Sequence, residues 1–299
     1  MEHNILLESG TNELEILEFI IDKNSYAINV FKVREVVLPI QVTKVPNIHP
    51  YIEGIIHFRG SVLPVIDMPK VLGKTTKTPN STHKYIIAEF NKQHVAFHVE
   101  DVSQISRISW EQIEKPSDMY KDADSPIIGI VKKDDNIILL LDFERILVSI
   151  NPDTGIKIDD IKKLGPRERS EKKIVIAEDS ALLRKLLLDT ITEAGYVNLE
   201  FFENGLDAYN YLEFLLETND AIEKHVQLVI TDIEMPQMDG HHLTKKIKTH
   251  PELQKLPVLI FSSLIIDDLR HKGKNVGADD QISKPEIVEL VQKIDKFIL

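Results

Sequence analysis

Apolar and polar residues alternate along this chain in two different rhythms, and the change falls near residue 150. Before it, short apolar runs pair across polar turns. LEILEFIIDKNSYAINVFKVREVV, from Leu14, holds two such runs around Asp22-Lys23-Asn24, a hairpin signal. KYIIAEFNKQHVAFHVEDV repeats the texture around Asn91-Lys92-Gln93, and IIGIVKKDDNIILLLDF repeats it around Asp134-Asp135-Asn136. Many short β-rich runs with turns between them predict an all-β sandwich or small barrels. Brief helical pieces fit at 30–36, 110–113 and 142–147.

From Lys173 the rhythm becomes strand, helix, strand. IVIA, LEFF, LVIT, LPVLIF and DQIS read as short buried strands, each followed by a helical pattern. The first of these helices opens at Ser180, a good N-cap, and stops at Gly195. Five strand–helix units in succession predict a parallel sheet with helices on both faces. Between the two rhythms, 149–172 carries Pro152, Gly155, Gly165 and Pro166 without sustained periodicity, the texture of an interdomain linker. One short helical turn fits at 159–164. A mobile linker would join the domains by tethering and a packed one by a defined interface; the pattern leaves both open. The predicted plan is a frayed polar terminus (1–13), an all-β domain (14–150), a linker (151–171) and an α/β domain (172–299).

Composition narrows the class. The 299 residues suit about two domains. With 42% hydrophobic and 28% charged residues, both can bury a core. There is no cysteine, which removes disulfides and thiolate metal sites and fits a reducing cytoplasm. MEHNILLESG lacks the regions of a signal peptide, and no apolar run approaches the roughly 20 residues that span a bilayer. Both halves are acidic, with 16 basic against 21 acidic residues in 1–150 and 15 against 22 in 172–299. Neither has the basic face of a nucleic-acid binder. Histidine metal sites are also disfavoured. His94 and His98 lie on a strand-like alternation, about 13 Å apart at 3.3 Å per residue. His241 and His242 are adjacent, and diverge by about 100° on a helix.

The most specific stretch of the first half is YIEGIIHFRGSVLPVIDMPKVLG, residues 51–73, punctuated by Gly54, Gly60, Gly73, Pro64 and Pro69. Gly60 suits a turn needing positive φ, which would hold the Arg59 guanidinium outward. The pattern G-(two apolar)-x-apolar-R-G-x-x-x-P-apolar-apolar-D resembles the chemotaxis coupling (CheW-like) domain. The match continues through 32–37, 94–105 and 138–147, with His57, Phe58 and Met68 where the family usually carries Asn, Leu and Leu. The resemblance implies paired SH3-like five-stranded barrels that bridge chemoreceptor tips to the regulatory domain of a CheA-type histidine kinase. It places Glu35, Val36, Arg59 and Gly60 on the partner-binding surface.

The second half resembles the receiver domain of response regulators, a flavodoxin-like (βα)5 fold. Asp232 ends the third strand, before a turn at Pro236, Asp239 and Gly240. Ligands in such sheets bind beyond the carboxyl ends of the strands. Glu178 and Asp179 end the neighbouring first strand, so three carboxylates converge and repel unless a cation sits among them. Hard oxygen donors with room for water favour Mg²⁺. In such a site Asp179, Asp232 and the Glu234 backbone carbonyl would bind it directly, and Glu178 mostly through water. Asp232 would accept the phosphoryl group, Lys284 would supply positive charge, and the Ser262 hydroxyl would meet a phosphoryl oxygen. Gln281 replaces the usual Tyr or Phe of the fifth strand, and Glu234 and Leu264 flank the site where the family tunes phosphoryl hydrolysis.

A coupling domain followed by a receiver resembles the CheV-type chemotaxis proteins. The implied function is a cytoplasmic scaffold at membrane-bound receptor arrays, regulated by phosphorylation of Asp232 and acting in adaptation. It would not be a turnover enzyme, although the receiver would catalyse its own phosphorylation and dephosphorylation. A phosphate sink, draining phosphoryl groups from the kinase, is the alternative. Nucleic-acid binding and direct membrane insertion are not expected.

Overall fold

A computed structural model describes residues 12–75, 82–90, 93–116, 125–133, 136–152, 161, 164–165, 167–218, 220–263 and 267–298. The chain divides into two compact units, one of Leu14–Ile108 and Gln112–Thr154, the other of Met1–Glu13, Ser109–Glu111 and Gly155–Leu299. No helix among the described residues is long and apolar enough to cross a membrane.

The first unit is all-β with two sheets. Its strands are β1 (Glu13–Ile21), β2 (Asn24–Asn29), β3 (Val33–Val37), β4 (Ile52–Phe58), β5 (Ser61–Asp67), β6 (Lys84–Phe90), β7 (Gln93–Val99), β8 (Asp101–Ser109), β9 (Ile113–Glu114), β10 (Ile127–Lys133) and β11 (Asn136–Leu141). One sheet has the expected five strands, in the order β3-β6-β7-β5-β4. The other, β8-β1-β2-β11-β10-β9, gains the two-residue β9 as a sixth. Two hairpins turn on two residues. Ile21 pairs with Asn24 across Asp22 (φ 48°) and Lys23 (φ 68°), and Phe58 pairs with Ser61 across Arg59 (φ 48°) and Gly60 (φ 84°). Left-handed backbone at both central positions matches the right-handed twist of the flanking strands. Asn91, Lys92, Asp134 and Asp135, at the other two expected turns, lie outside the described residues. Their flanking strands pair as predicted, Phe90 with Gln93 and Lys133 with Asn136.

The helical piece expected at 30–36 is mostly strand. A single 3-10 turn, Val30–Lys32, is capped by the Asn29 side chain, which accepts the Phe31 N–H at 2.9 Å. Val33–Val37 then pairs antiparallel with β6. Its β-branched valines lose rotamer freedom in a helix and pack well on a sheet. The other two pieces form close to expectation. Trp110–Gln112 is a 3-10 turn with Trp110 buried, and α2 (Phe143–Ile150) follows α1 (Met68–Val71) in chain order, capped by Asp142. His94 and His98 both lie on β7. His94 pairs with Glu89, whereas His98 is buried between Glu53 and His83, the latter 2.9 Å away.

The second unit alternates as the sequence predicts: β12 (Ile174–Ala177), α3 (Ala181–Glu193), β13 (Leu199–Phe202), α4 (Gly205–Leu216), β14 (Leu228–Thr231), α5 (Gly240–Thr249), β15 (Val258–Ser262), α6 (Asp267–Asn275), β16 (Asp280–Ser283) and α7 (Ile287–Ile298). The sheet is parallel throughout, in the order β13-β12-β14-β15-β16. Successive side chains of a strand point to opposite faces. Accordingly Ile174, Ile176, Leu228 and Ile230 pack with Leu187 and Ile191 of α3 and Leu290 and Ile294 of α7. Val175, Ala177, Val229 and Val258 pack on the opposite side with Ala208 and Leu212 of α4 and Leu243 and Ile247 of α5.

Of the described linker residues, Asn151 caps α2, whereas Ile161, Arg167 and Ser170 pack onto this second unit. Ile161 is buried in the α3–α7 core. Ser170 bridges to Tyr196, donating its N–H to the Gly195 carbonyl at 2.8 Å. Arg167 donates to the Ala194 carbonyl at 2.7 Å and pairs with Asp295 of α7.

Candidate functional site

The parallel register builds the site. Ala177 of β12 pairs with Thr231 of β14, so Glu178 and Asp232 leave the two central strands side by side. Ser262 pairs with Ser283, and Lys284 follows, its N–H donating to the Ser262 carbonyl at 3.1 Å. Four strand ends therefore lie along one edge of the sheet.

Lys284 lies between two acids. Its Nζ is 2.8 Å from Glu178 Oε2 and 2.8 Å from Asp232 Oδ2. All three groups are buried, with residue exposures of 3% for Lys284, 1% for Glu178 and 7% for Asp232. Asp179 completes the set, and carboxylate oxygens of Glu178, Asp179 and Asp232 lie within 4.8 Å of one another. Among the described residues, the Lys284 ammonium bonds two of these three carboxylates, Glu178 and Asp232, and the half-buried Asp179 stands beside them. The donors are all hard oxygens, the set that suits a small divalent cation such as Mg²⁺. By its chemistry and spacing the cluster fits one.

Local hydrogen bonds set the direction of Asp232. Its own N–H donates to the Ala177 carbonyl at 2.9 Å, and the Ile233 N–H donates to Oδ1 at 2.6 Å. The Thr231 hydroxyl donates to the Asp232 carbonyl at 2.8 Å. Helix α5 then starts directly against that carbonyl: a Cβ on Gly240 would lie 1.8 Å from the oxygen. Asp239 caps the helix, accepting the His242 N–H at 2.7 Å. The residues that break the β14 pattern thus also start α5. Glu234 is half-buried two residues beyond Asp232, and Leu264 lies outside the described residues.

Gln281 is engaged with α6. It is buried, and its amide nitrogen donates to the Arg270 carbonyl of α6 at 2.9 Å. Gly273 leaves room for it, since a Cβ there would lie 2.3 Å from the Gln281 amide oxygen.

In the first unit, Arg59 Nη2 donates to Glu35 Oε2 at 2.9 Å, with the Arg59 side chain 74% exposed. Val36 and Gly60 are exposed beside them in sequence. An exposed ion pair contributes only about 0–1 kcal/mol, so this one does little for stability. Leu38 (64% exposed) and Val62 (61%) flank the same segments and were not singled out by the sequence reading. Their signal was the alternation itself, which turns Val36 and Leu38 outward together. In the second unit the reading missed Arg184, whose guanidinium reaches the backbone of Glu178 and Asp179.

Residues 15–151 match the CheW-like domain family, and residues 174–295 match the response regulator receiver domain family. The chain is 30% identical to chemotaxis protein CheV3 of Helicobacter pylori over 91% of this chain and 88% of that protein. It is 24% identical to chemotaxis protein CheV1 of the same organism, over 96% of this chain and 94% of that protein. Among solved structures, scaffolding protein TtCheW from Thermoanaerobacter tengcongensis is 31% identical, covering 43% of this chain and 88% of that chain with a TM-score of 0.41. With both domains matched in order and CheV3 similar across nearly the whole length, the chain belongs to the CheV-type chemotaxis proteins.

Proposed function

We propose that this protein is a phosphorylation-regulated scaffold of bacterial chemotaxis. Its first domain couples chemoreceptors to their histidine kinase through the surface around Glu35, Val36, Arg59 and Gly60, and phosphorylation of Asp232 changes that coupling during adaptation. The observation that carries the reading is Lys284, held 2.8 Å from Asp232 inside a buried acidic cluster at the strand ends. Such a lysine offsets charge where a phosphoryl group would arrive.

In the phosphotransfer step a carboxylate oxygen of Asp232 forms a bond to phosphorus as the P–N bond of a donor phosphohistidine breaks. The imidazole leaves with the electron pair and takes up a proton from water. Lys284 remains beside the transferred phosphoryl oxygens, and the Ser262 hydroxyl donates to one of them. A bound Mg²⁺, held by Asp179, Asp232 and the Glu234 carbonyl with Glu178 acting through water, would neutralise further phosphoryl charge. The protein does not turn over an external substrate; its receiver promotes its own phosphorylation and hydrolysis.

Incubation with Mg²⁺ and a small phosphodonor, followed by intact-mass spectrometry, tests the site. One phosphoryl group should appear on the wild type and none on Asp232→Asn. Lys284→Met should slow labelling by about a hundredfold, the usual loss when one charge-stabilising donor is removed. Labelling retained by Asp232→Asn would place the acceptor elsewhere.

A further inference from the structure

Two acids of the cluster, Glu178 and Asp179, sit on one short loop, where like charges repel. Glu178, Asp179 and Ser180 connect β12 to α3. Ser180 caps the helix, accepting the Leu183 N–H, and its own N–H donates to Glu178 Oε1 at 3.3 Å. Lys284 holds the Glu178 carboxylate from the other side. The Glu178 N–H donates to the Phe202 carbonyl at 3.0 Å, so the backbone is tied to β13 on its N–H side.

Arg184 adds a hold on the carbonyl side of the loop. It stands one turn into α3, its N–H bonded to the Ser180 carbonyl at 2.8 Å. Helical side chains lean toward the N-terminus, and this one folds back past the cap. Its Nη1 donates to two successive carbonyls, Glu178 at 2.7 Å and Asp179 at 2.8 Å. Nη2 donates to Glu203 at 2.9 Å, on the turn that follows β13. The side chain is only 18% exposed, so the fork is shielded and its charge-assisted bonds are short and directional. Two carbonyls held on one side of the loop fix the direction in which the Asp179 carboxylate leaves the other.

We propose that Arg184 is a positioning residue for cation binding by the acidic cluster, acting through the backbone of Glu178 and Asp179. This rests on the reading of that cluster as a Mg²⁺ site. Arg184 touches neither the cation nor the phosphoryl group. It keeps the loop in the one path that brings Asp179 to Asp232.

Calorimetric titration of the full chain with Mg²⁺ alone tests this, paired with thermal melts in chelator. Arg184→Ala should weaken Mg²⁺ binding by about tenfold, the scale seen when partners that orient metal ligands are removed. Arg184→Lys, which keeps the charge and fold, should recover part of that loss. Glu203→Gln, which leaves both carbonyl bonds in place, should bind Mg²⁺ within about twofold of the wild type. A purely structural arginine would lower the melting temperature in chelator and leave the Mg²⁺ affinity of the folded protein unchanged; that result in Arg184→Ala and Arg184→Lys overturns the proposal. Failure of the underlying reading shows separately, as a wild type that binds no Mg²⁺ or an Asp179→Asn variant that binds as tightly as the wild type.

Discussion

Gly240 and His241 show how much the site asks of single residues. Gly240 starts α5 where a Cβ would fall 1.8 Å from the Asp232 carbonyl oxygen, with the rigid β14 end behind it. Neither backbone can yield without moving Asp232. Gly240→Ala should therefore cost about 1–3 kcal/mol in urea denaturation and slow labelling of Asp232. His241 is buried next in the chain, and burial, aided by the Lys272 charge, pushes its pKa down to about 4. Between pH 6.5 and about 4 the unfolded chain takes up a proton that the folded chain refuses, so stability falls with pH across that window and levels off below it. Asp239 opposes this: burial raises its pKa to about 6, so the folded chain takes up that proton first and gains stability as pH falls from 6 toward 4. His241→Leu removes the first effect and leaves the second. From pH 7 to 4.5 the variant should lose about 2–3 kcal/mol less than the wild type, at about 1.4 kcal/mol per pH unit, in denaturation measured at both pH values. Glu178, Asp179, Asp232 and Ser262 were legible in the sequence because they fall at or just beyond the ends of short apolar runs in one strand–helix alternation. Lys284 follows Asp280-Gln281-Ile282-Ser283, which has a single apolar residue, and was placed by its joint pattern with the others and the receiver resemblance. Arg184 was not. Its role depends on a side chain folding back across a cap, and no spacing of residue types announces that.

At the scale of elements, the linker departs most from its texture. Residues 149–172 show no periodicity, yet Ile161, Arg167 and Ser170 each anchor to the second unit. Single anchors along an extended segment repeat no face, so they leave no period to read. Ile161 is 2% exposed against α3 and α7, and Ile161→Ala should destabilise the second unit by about 2–4 kcal/mol. Chemical denaturation followed by hydrogen exchange at α3 and α7 would check it; a change under 0.5 kcal/mol would mean that Ile161 is not part of that core. Residues 30–36 failed for another reason. Their apolar spacing fits a helix, but three valines favour the sheet, and pairing with β6 decides. The hairpin at 22–23 was legible from two apolar runs around a polar turn, and the tight turn at 59–60 from Gly60; the left-handed backbone of Lys23 and Arg59 is not signalled by their residue types.

For the whole molecule, the order of domains carried most of the information. The (βα)5 alternation predicts a parallel sheet, and right-handed crossovers leave few strand orders open to it. The first domain was read less from physics than from a resemblance, because short strands with polar turns fit many all-β folds. A coupling free energy of about 1–3 kcal/mol between phosphorylation and partner binding would change affinity five- to 150-fold. The measurement that tests this most directly is the affinity of the full chain for a chemotaxis kinase regulatory domain, in Mg²⁺, with and without beryllium fluoride as phosphoryl mimic, beside Asp232→Asn. The account predicts a change of at least fivefold that disappears in the variant. An affinity unmoved by the mimic, on a wild type shown to be phosphorylated at Asp232, would contradict it and leave the receiver as a phosphate sink.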